Sequence, residues 1–481
     1  MKTIFDFRTG DPSGGVFPPI DVPESTSAIP ASLRRERPPR IPSLSEPDLV
    51  RHYTRLSKLN FGVDDGFYPL GSCTMKYNPK LNEDAARLAG FSDAHPLADA
   101  SVVQGALAVM HHMATMLSEI AGLPGVTLQP AAGAHGELTG MFLARRYFEK
   151  RGDTGRSRIL LPDSAHGTNP ASAALAGFTV TEIPSDGSGM VDVNALASTL
   201  DDTVAAIMLT VPNTLGIFEE RILEITARVR EAGGLCYFDG ANLNAFIGRA
   251  RPGDMGADIF HFNLHKTLST PHGGGGPGAG PVAVSERLAP YLPVPRVERG
   301  SEGYLLNWEA PDTIGAVHSF YGNFAVILKA YAYLLQLGDQ GLLAVSENAV
   351  LNANYLQARL KESYRLPYDR LCKHEFVLSG KGLANGISAL DVAKRLIDYG
   401  MHPPTIYFPL IVPEALMIEP TECESRATLD AFVDAMKRIA EEAKTAPEQL
   451  RGAPHRAPVR RLDQTRAARQ PILRYPFDET P

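Results

Sequence analysis

A chain of 481 residues can bury roughly three quarters of its unfolded surface and is expected to form more than one lobe. Its formal charge of −7, from 47 basic and 54 acidic residues, creates no global field for nucleic acid or an anionic membrane, so a small-molecule substrate is expected. The start lacks an apolar leader, no stretch of about 18 apolar residues occurs, and Cys73, Cys236, Cys372 and Cys423 are too far apart for paired metal or redox spacing. These features predict a cytoplasmic protein with reduced thiols, without a membrane span.

Residues 1–47 contain nine prolines and no sustained periodicity, which predicts an extended N-terminal arm. Apolar residues recur at helical spacing from 100 to 121 (Leu107, Met110, Ala114, Leu117, Ala121), and again at Leu138, Met141, Phe142 and Phe148. Between 159 and 285 short β-rich runs alternate with helices or loops: Ile159–Leu161, Phe178–Ile183, Val204–Val211, Leu235–Phe238, Ile259–Leu264 and Val282–Val284. The segment Glu220–Ala232 is a helix closed by Gly233 and Gly234. This rhythm predicts an α/β domain over 48–320 with a mostly parallel sheet covered on both faces. Helices at 321–337, 341–361, 388–398 and 426–444, with strands at Glu375–Leu378, Thr405–Phe408 and Leu416–Ile418, predict a smaller α+β domain over 321–446. The last segment, 447–481, carries seven arginines between 451 and 474 and reads as an extended, solvated or subunit-wrapping tail.

The strongest chemical signal is Lys266, at the end of the strand-like run Ile259 to His265 and followed by Thr267 to His272 and the glycines Gly273–Gly276. An amine delivered by a strand end into a glycine-walled loop suits an enzyme that holds an aldehyde cofactor as a Schiff base. The run Leu235–Phe238 ends in Asp239, an acid able to hold a proton on a cofactor's ring nitrogen or simply to close a turn. Three residues on, Asn242 could reach a ring substituent or complete that same turn. Small residues Gly133 and Ala134 precede an apolar helix, a place for a phosphate or for ordinary capping. His166 follows a strand, where its imidazole could stack on an aromatic ring or bond its own loop.

Gly273-x-Gly275-x-x-Gly278 matches the dinucleotide fingerprint in form but precedes a strand rather than a helix, so no nicotinamide site is expected. His261 and His265, which would share a strand face, lack neighbouring acids, and no metal site is expected.

Several stretches resemble the pyridoxal-phosphate-dependent glycine decarboxylase (P-protein) family of the glycine cleavage system, in the form whose C-terminal half is a separate subunit 2. They are Phe67–Lys80, Gln129–Glu137, Asp163–Ser172, Tyr237–Asn244, His261–Pro277 and, in the tail, Ala453–His455 through Pro471–Leu473. The resemblance implies the aspartate-aminotransferase-like fold type I and pyridoxal 5'-phosphate as cofactor. It implies Lys266 as the Schiff-base lysine, Asp239 beside the pyridine nitrogen, His166 stacked on the ring, and Gly133 and Ala134 holding the phosphate through their backbone. The implied reaction is decarboxylation of glycine with transfer of the aminomethyl group to the lipoyl arm of the H-protein. The implied partner is an N-terminal-half subunit in a two-plus-two heterotetramer. Tyr68, Cys73 and Lys76 either line the route for the arm or form a structural turn around Pro69 and Gly71. A serine-hydroxymethyltransferase-like aldol enzyme and a non-catalytic partner subunit are the alternative readings.

Overall fold

The computed structural model describes residues 3–7, 21–23, 29–36, 42, 44–273, 277–475 and 477. They form two compact units: one from the described residues of 1–62 and 457–481, the other from 63–456.

The smaller unit joins both ends of the chain. The Tyr475 hydroxyl donates to Asp6 Oδ1 at 2.8 Å, and Phe5 meets Tyr475 and Phe477 at centroid distances of 5.0 and 5.4 Å. A helix, Glu46–Ser57, starts at the N-cap Ser45 and buries His52. Within the prolines upstream, the described residues hold two single-turn 3-10 helices, Ile4–Asp6 and Ala31–Leu33.

The larger unit is built on a seven-stranded sheet of order β1-β7-β6-β5-β4-β2-β3. Its strands are β1 (Gly125–Thr127), β2 (Arg158–Pro162), β3 (Thr179–Ile183), β4 (Val204–Thr210), β5 (Leu235–Gly240), β6 (Ile259–Phe262) and β7 (Val282–Val284). The five strands β3, β2, β4, β5 and β6 are parallel, and β7 turns back antiparallel to both β6 and β1. β5 and β6 are buried along their whole length, as strands with helices on both faces must be. β6 ends at Phe262, so His265 lies in the following turn rather than on a strand face with His261. β1, and the hairpin of β8 (Arg296–Gly300) with β9 (Gly303–Asn307), were absent from the expected elements. β1 is only three residues long and the hairpin is rich in charge, so neither carries the apolar run that marks the central strands.

The second sheet is antiparallel, β10-β12-β11, from β10 (Phe376–Ser379), β11 (Thr405–Ile406) and β12 (Ala415–Ile418). The helices Ala389–Asp398 and Arg426–Thr445 share its core through Val392, Leu396, Phe432 and Met436. The long helix Phe324–Leu360 reaches both sheets' cores and breaks at Gly338, whose φ is 59°, between the two helices read from the sequence.

The segment from Phe67 to Thr74 is pinned to the end of β12. Phe67 packs edge-on against Phe432 at 5.1 Å, Gly71 N–H donates to the Met417 carbonyl at 3.2 Å, and Glu419 N–H donates to the Pro69 carbonyl at 3.2 Å. A Cβ at Gly71 would lie 2.4 Å from Met417 Cγ and 2.6 Å from its carbonyl oxygen, so only glycine allows this approach. Gly71→Val is expected to cost about 1–3 kcal/mol through overpacking, read as a lower denaturant midpoint with an unchanged slope.

Candidate active site

Ligand sites in parallel α/β sheets form beyond the strands' carboxyl ends. Here β2, β4, β5 and β6 end on one cavity of about 290 Å³, lined among others by His166, Thr210, Asp239 and Lys266. Gly133, Ala134 and Asn242 line it as well, so all six residues singled out in the sequence meet in one place. Gly274–Gly276, the rest of the glycine run, lie outside the described residues.

Lys266 is half-buried and held by its neighbours. Its N–H donates to the Asn263 carbonyl at 3.1 Å, while Thr267 accepts from Leu243 N–H through its hydroxyl at 2.8 Å and from Lys76 Nζ through its carbonyl at 2.6 Å. Lys76 also reaches the Tyr333 hydroxyl at 2.9 Å and Glu422 at 2.5 Å. Burial would lower the Lys76 ammonium, but Glu422 and Tyr333 hold it above its ordinary value. Lys76 therefore does not line a route for an arm; it is a buried anchor for the turn carrying Lys266. Tyr68 is stacked on His402 at 3.6 Å, and of the three loop residues considered only Cys73 lines the cavity.

Asp239 is 4 % exposed and receives two hydrogen bonds, from Ala241 N–H at 3.0 Å and from Asn169 Nδ2 at 3.1 Å. His261 Nε2 lies 3.5 Å away, with its Nδ1 2.6 Å from the Tyr237 hydroxyl. Burial disfavours the Asp239 carboxylate, yet His261, Lys266 and these donors keep it below the ordinary carboxylate range. Asn169 also donates to Glu137 at 3.1 Å, and Thr168 Oγ1 donates to Glu137 at 2.8 Å. Burial and then the Asp239 charge push Glu137 up to about 8, so at neutral pH one acid of this pair is ionised and the other protonated.

His166 bonds its own loop, with Nδ1 2.8 Å from Thr168 Oγ1, and still lines the cavity. Burial holds its imidazole below the ordinary value against the pull of Asp239, which leaves the ring neutral. The Asn242 amide is committed: Nδ2 donates to Glu419 at 2.7 Å, while Oδ1 accepts from Asn244 N–H at 3.0 Å.

The helix Gly133–Lys150 begins after Ala132 with no side-chain cap, leaving its first N–H groups for another acceptor. Opposite stands Asn263, so close that a Cβ at Gly133 would fall 2.4 Å from its Oδ1. That Oδ1 and His265 Nδ1 are buried without a hydrogen-bond partner.

Sequence reasoning passed over Glu137, Asn169, Asn263, His265, His272, His374 and Glu375 as site residues, though all but Asn169 line the cavity. Glu137, Asn169, Asn263, His265 and His272 sit inside the stretches that carry the family likeness. His374 and Glu375 come from the second sheet, more than a hundred positions from Lys266, and had no local signal.

The region 345–455 matches the family model "Glycine dehydrogenase, C-terminal domain", and 140–289 matches "Aminotransferase class-V". A probable glycine dehydrogenase (decarboxylating) subunit 2 from Caldanaerobacter subterraneus subsp. tengcongensis is 57% identical over 475 residues, covering 98% of each chain. The chain belongs to the glycine dehydrogenase (decarboxylating) subunit 2 family. Another member, from Bacillus velezensis, is 54% identical over 98% of this chain and 97% of its own. Among solved structures, glycine decarboxylase (P-protein) of the glycine cleavage system in inhibitor-bound form superposes with a TM-score of 0.69 at 23% identity, over 89% of this chain and 93% of that one. The apo cysteine desulfurase of Thermococcus onnurineus superposes at 0.61 with 16% identity, over 79% and 95%. The family's architecture is thus the fold type I of pyridoxal-phosphate-dependent transferases, as the sequence led one to expect.

A carboxyl whose folded pKa is raised contributes stability below its unfolded value, and that contribution is lost as pH rises through the folded value. With Glu137 shifted from an ordinary 4.5 to about 8, stability falls over this window. Glu137→Gln is expected to flatten the decline, measured as melting temperature against pH on protein without cofactor.

Proposed function

We propose that this chain is the cofactor-bearing subunit of a glycine decarboxylase. It would bind pyridoxal 5'-phosphate, release carbon dioxide from glycine and pass the aminomethyl group to the lipoyl arm of the H-protein. The observation that carries this reading is the meeting of Lys266, ionised Asp239 and an uncapped helix start in one cavity of a subunit 2 family member.

The residues fit that cofactor. The bare N–H groups of Gly133 and Ala134 make a cradle for a phosphate, and a side chain at Gly133 would fill it. Lys266 supplies the amine that would hold the aldehyde and later carry a proton at Nζ. Asp239 would hold a proton on the ring nitrogen, and Glu137, itself protonated, leaves Asp239 to carry the pair's single negative charge. His166 offers a neutral flat ring that would cover one face and exclude water, and the Asn242 amide, held by Glu419, would reach a ring substituent. When bound, the cofactor would accept the electron pair left on the substrate carbon as carbon dioxide departs.

Membership in a family named subunit 2 supports an N-terminal-half partner subunit, and we propose two copies of each. We also propose a cytoplasmic location; no helix among the described residues is long and apolar enough to cross a membrane.

Lys266→Ala is expected to abolish borohydride-fixable attachment of the cofactor, read by mass spectrometry, together with glycine-dependent carbon dioxide release. Retained turnover would remove the central assignment. Asp239→Asn is expected to keep the fold, checked by circular dichroism, and to lower kcat by roughly a hundred- to a thousandfold.

A further inference from the structure

The cavity is lined also from the pinned loop, by Ser72 and Cys73, and from the residues just before β10, by His374 and Glu375. Glu375 precedes β10 and Glu419 follows β12, at 3 % and 0 % exposure. One oxygen of each carboxyl and a ring nitrogen of His374 lie within 4.8 Å of one another.

The donors around the two acids are unequal. Glu419 accepts from Thr74 N–H at 2.9 Å, the Thr74 hydroxyl at 2.8 Å and Asn242 Nδ2 at 2.7 Å, so both its oxygens are occupied by fixed donors. Glu375 accepts from Ser72 N–H at 2.7 Å through Oε2 only. Its Oε1 faces His374 Nε2 at 3.5 Å, beyond hydrogen-bond reach, and His374 is 2 % exposed with neither ring nitrogen partnered. Two carboxylates this close in a dry wall cannot both be ionised. Glu419 is built to carry the charge and Glu375 Oε1 is open to carry a proton.

Glycine decarboxylation with transfer to a disulfide has a use for such a proton, and the role assigned to Glu375 rests on that functional reading. Glycine's ammonium sheds a proton when its amine is bound. The bond to the carboxyl carbon then breaks, and its electron pair forms a carbon–sulfur bond to one sulfur of the arm's disulfide. The sulfur–sulfur pair passes to the second sulfur, which must be protonated to leave as a thiol. Atoms balance when the proton shed early is delivered late, and a group lining the cavity can hold it in between.

We propose that Glu375 and Glu419 hold one proton between them, and that Glu375 gives it from Oε1 to the departing sulfur of the carrier's disulfide. Glu375 is left as a carboxylate, and the next glycine's ammonium restores its proton. The neighbours are suited to this role. Burial and then Glu419 push the Glu375 carboxyl well above its usual range, against Ser72 N–H and Lys266. His374, held down to about 3 by burial and Lys266, is a neutral acceptor. The Cys73 thiol, raised to about 11 by burial, and the Cys372 thiol, raised by burial, do not compete as proton donors at neutral pH.

Two measurements test this on the full chain with its partner subunit. The infrared difference between parent and Glu375→Gln at neutral pH, needing neither substrate nor cofactor, should show the loss of one protonated buried carboxyl, with Glu137 contributing equally to both spectra, and Glu375→Asp should retain it. Transfer to a lipoamide arm should fall by about a hundredfold in Glu375→Gln, as for loss of a general acid, and its decline at alkaline pH should disappear. An aryl disulfide arm, whose thiol leaves without a proton, should restore the variant to near the parent rate. A difference spectrum in which Glu375→Gln loses no protonated carboxyl would overturn the proposal, and so would equal slowing with both arms. If the parent protein releases no carbon dioxide from glycine with either arm, the functional reading fails, while the infrared result still decides the shared proton.

Discussion

The site is governed by an imbalance of buried charge. Four carboxyls, Asp239, Glu137, Glu375 and Glu419, line or back one cavity whose only lysine among the described residues is Lys266. Burial makes each of these charges expensive unless it is paired, donor-bound or neutralised by a proton. The two acid pairs resolve this in the same way: donors and cations concentrate on one member, and the other takes up a proton. Asp239 has Ala241 N–H, Asn169 and His261 around it, and Glu419 has Thr74 and Asn242. Glu137 and Glu375 are the partners with fewer donors, each raised by burial and then by its neighbouring acid, and burial raises Glu419 as well.

This arrangement divides the cavity by origin. The parallel sheet and the Gly133–Lys150 helix supply Asp239, Lys266 and the uncapped helix start, the groups proposed to hold a phosphorylated ring. The segment leading into β10 and the Phe67–Thr74 loop supply Cys73, His374 and Glu375, with thiol, imidazole and acid. Asn242 joins the two sides, being three residues beyond Asp239 and bonded to Glu419. Lys76 joins them again, tying the loop to the Thr267 carbonyl and to Glu422. A change in the placement of one wall is therefore transmitted to the turn carrying Lys266 through short, buried hydrogen bonds.

Local patterns account for what was readable in the chain and for what was not. β4, β5 and β6 are continuous apolar runs because both faces are covered, and such runs stand out without any structure. Lys266 and Asp239 stood out because each closes such a run, and in parallel strands the ends that carry ligands coincide. β1 and the β8–β9 hairpin escaped because their pairing, rather than their composition, makes them strands. The Phe67–Lys80 motif was visible, yet the opposite fates of its members were not: Cys73 reaches the cavity, while Lys76 is buried in an ion pair.

By itself the sequence determined the α/β and α+β regions, the family, and the short-range geometry of strand-Asp, strand-Lys and uncapped helix start. These depend on periodicity and on residues a few positions apart, which a linear reading contains. Only the tertiary structure decided which acids share a proton, which histidines are left without partners, and that His374 and Glu375 belong to the site at all. Protonation of a buried group depends on every charge and donor within a few ångströms, and here those come from segments hundreds of residues apart in the chain.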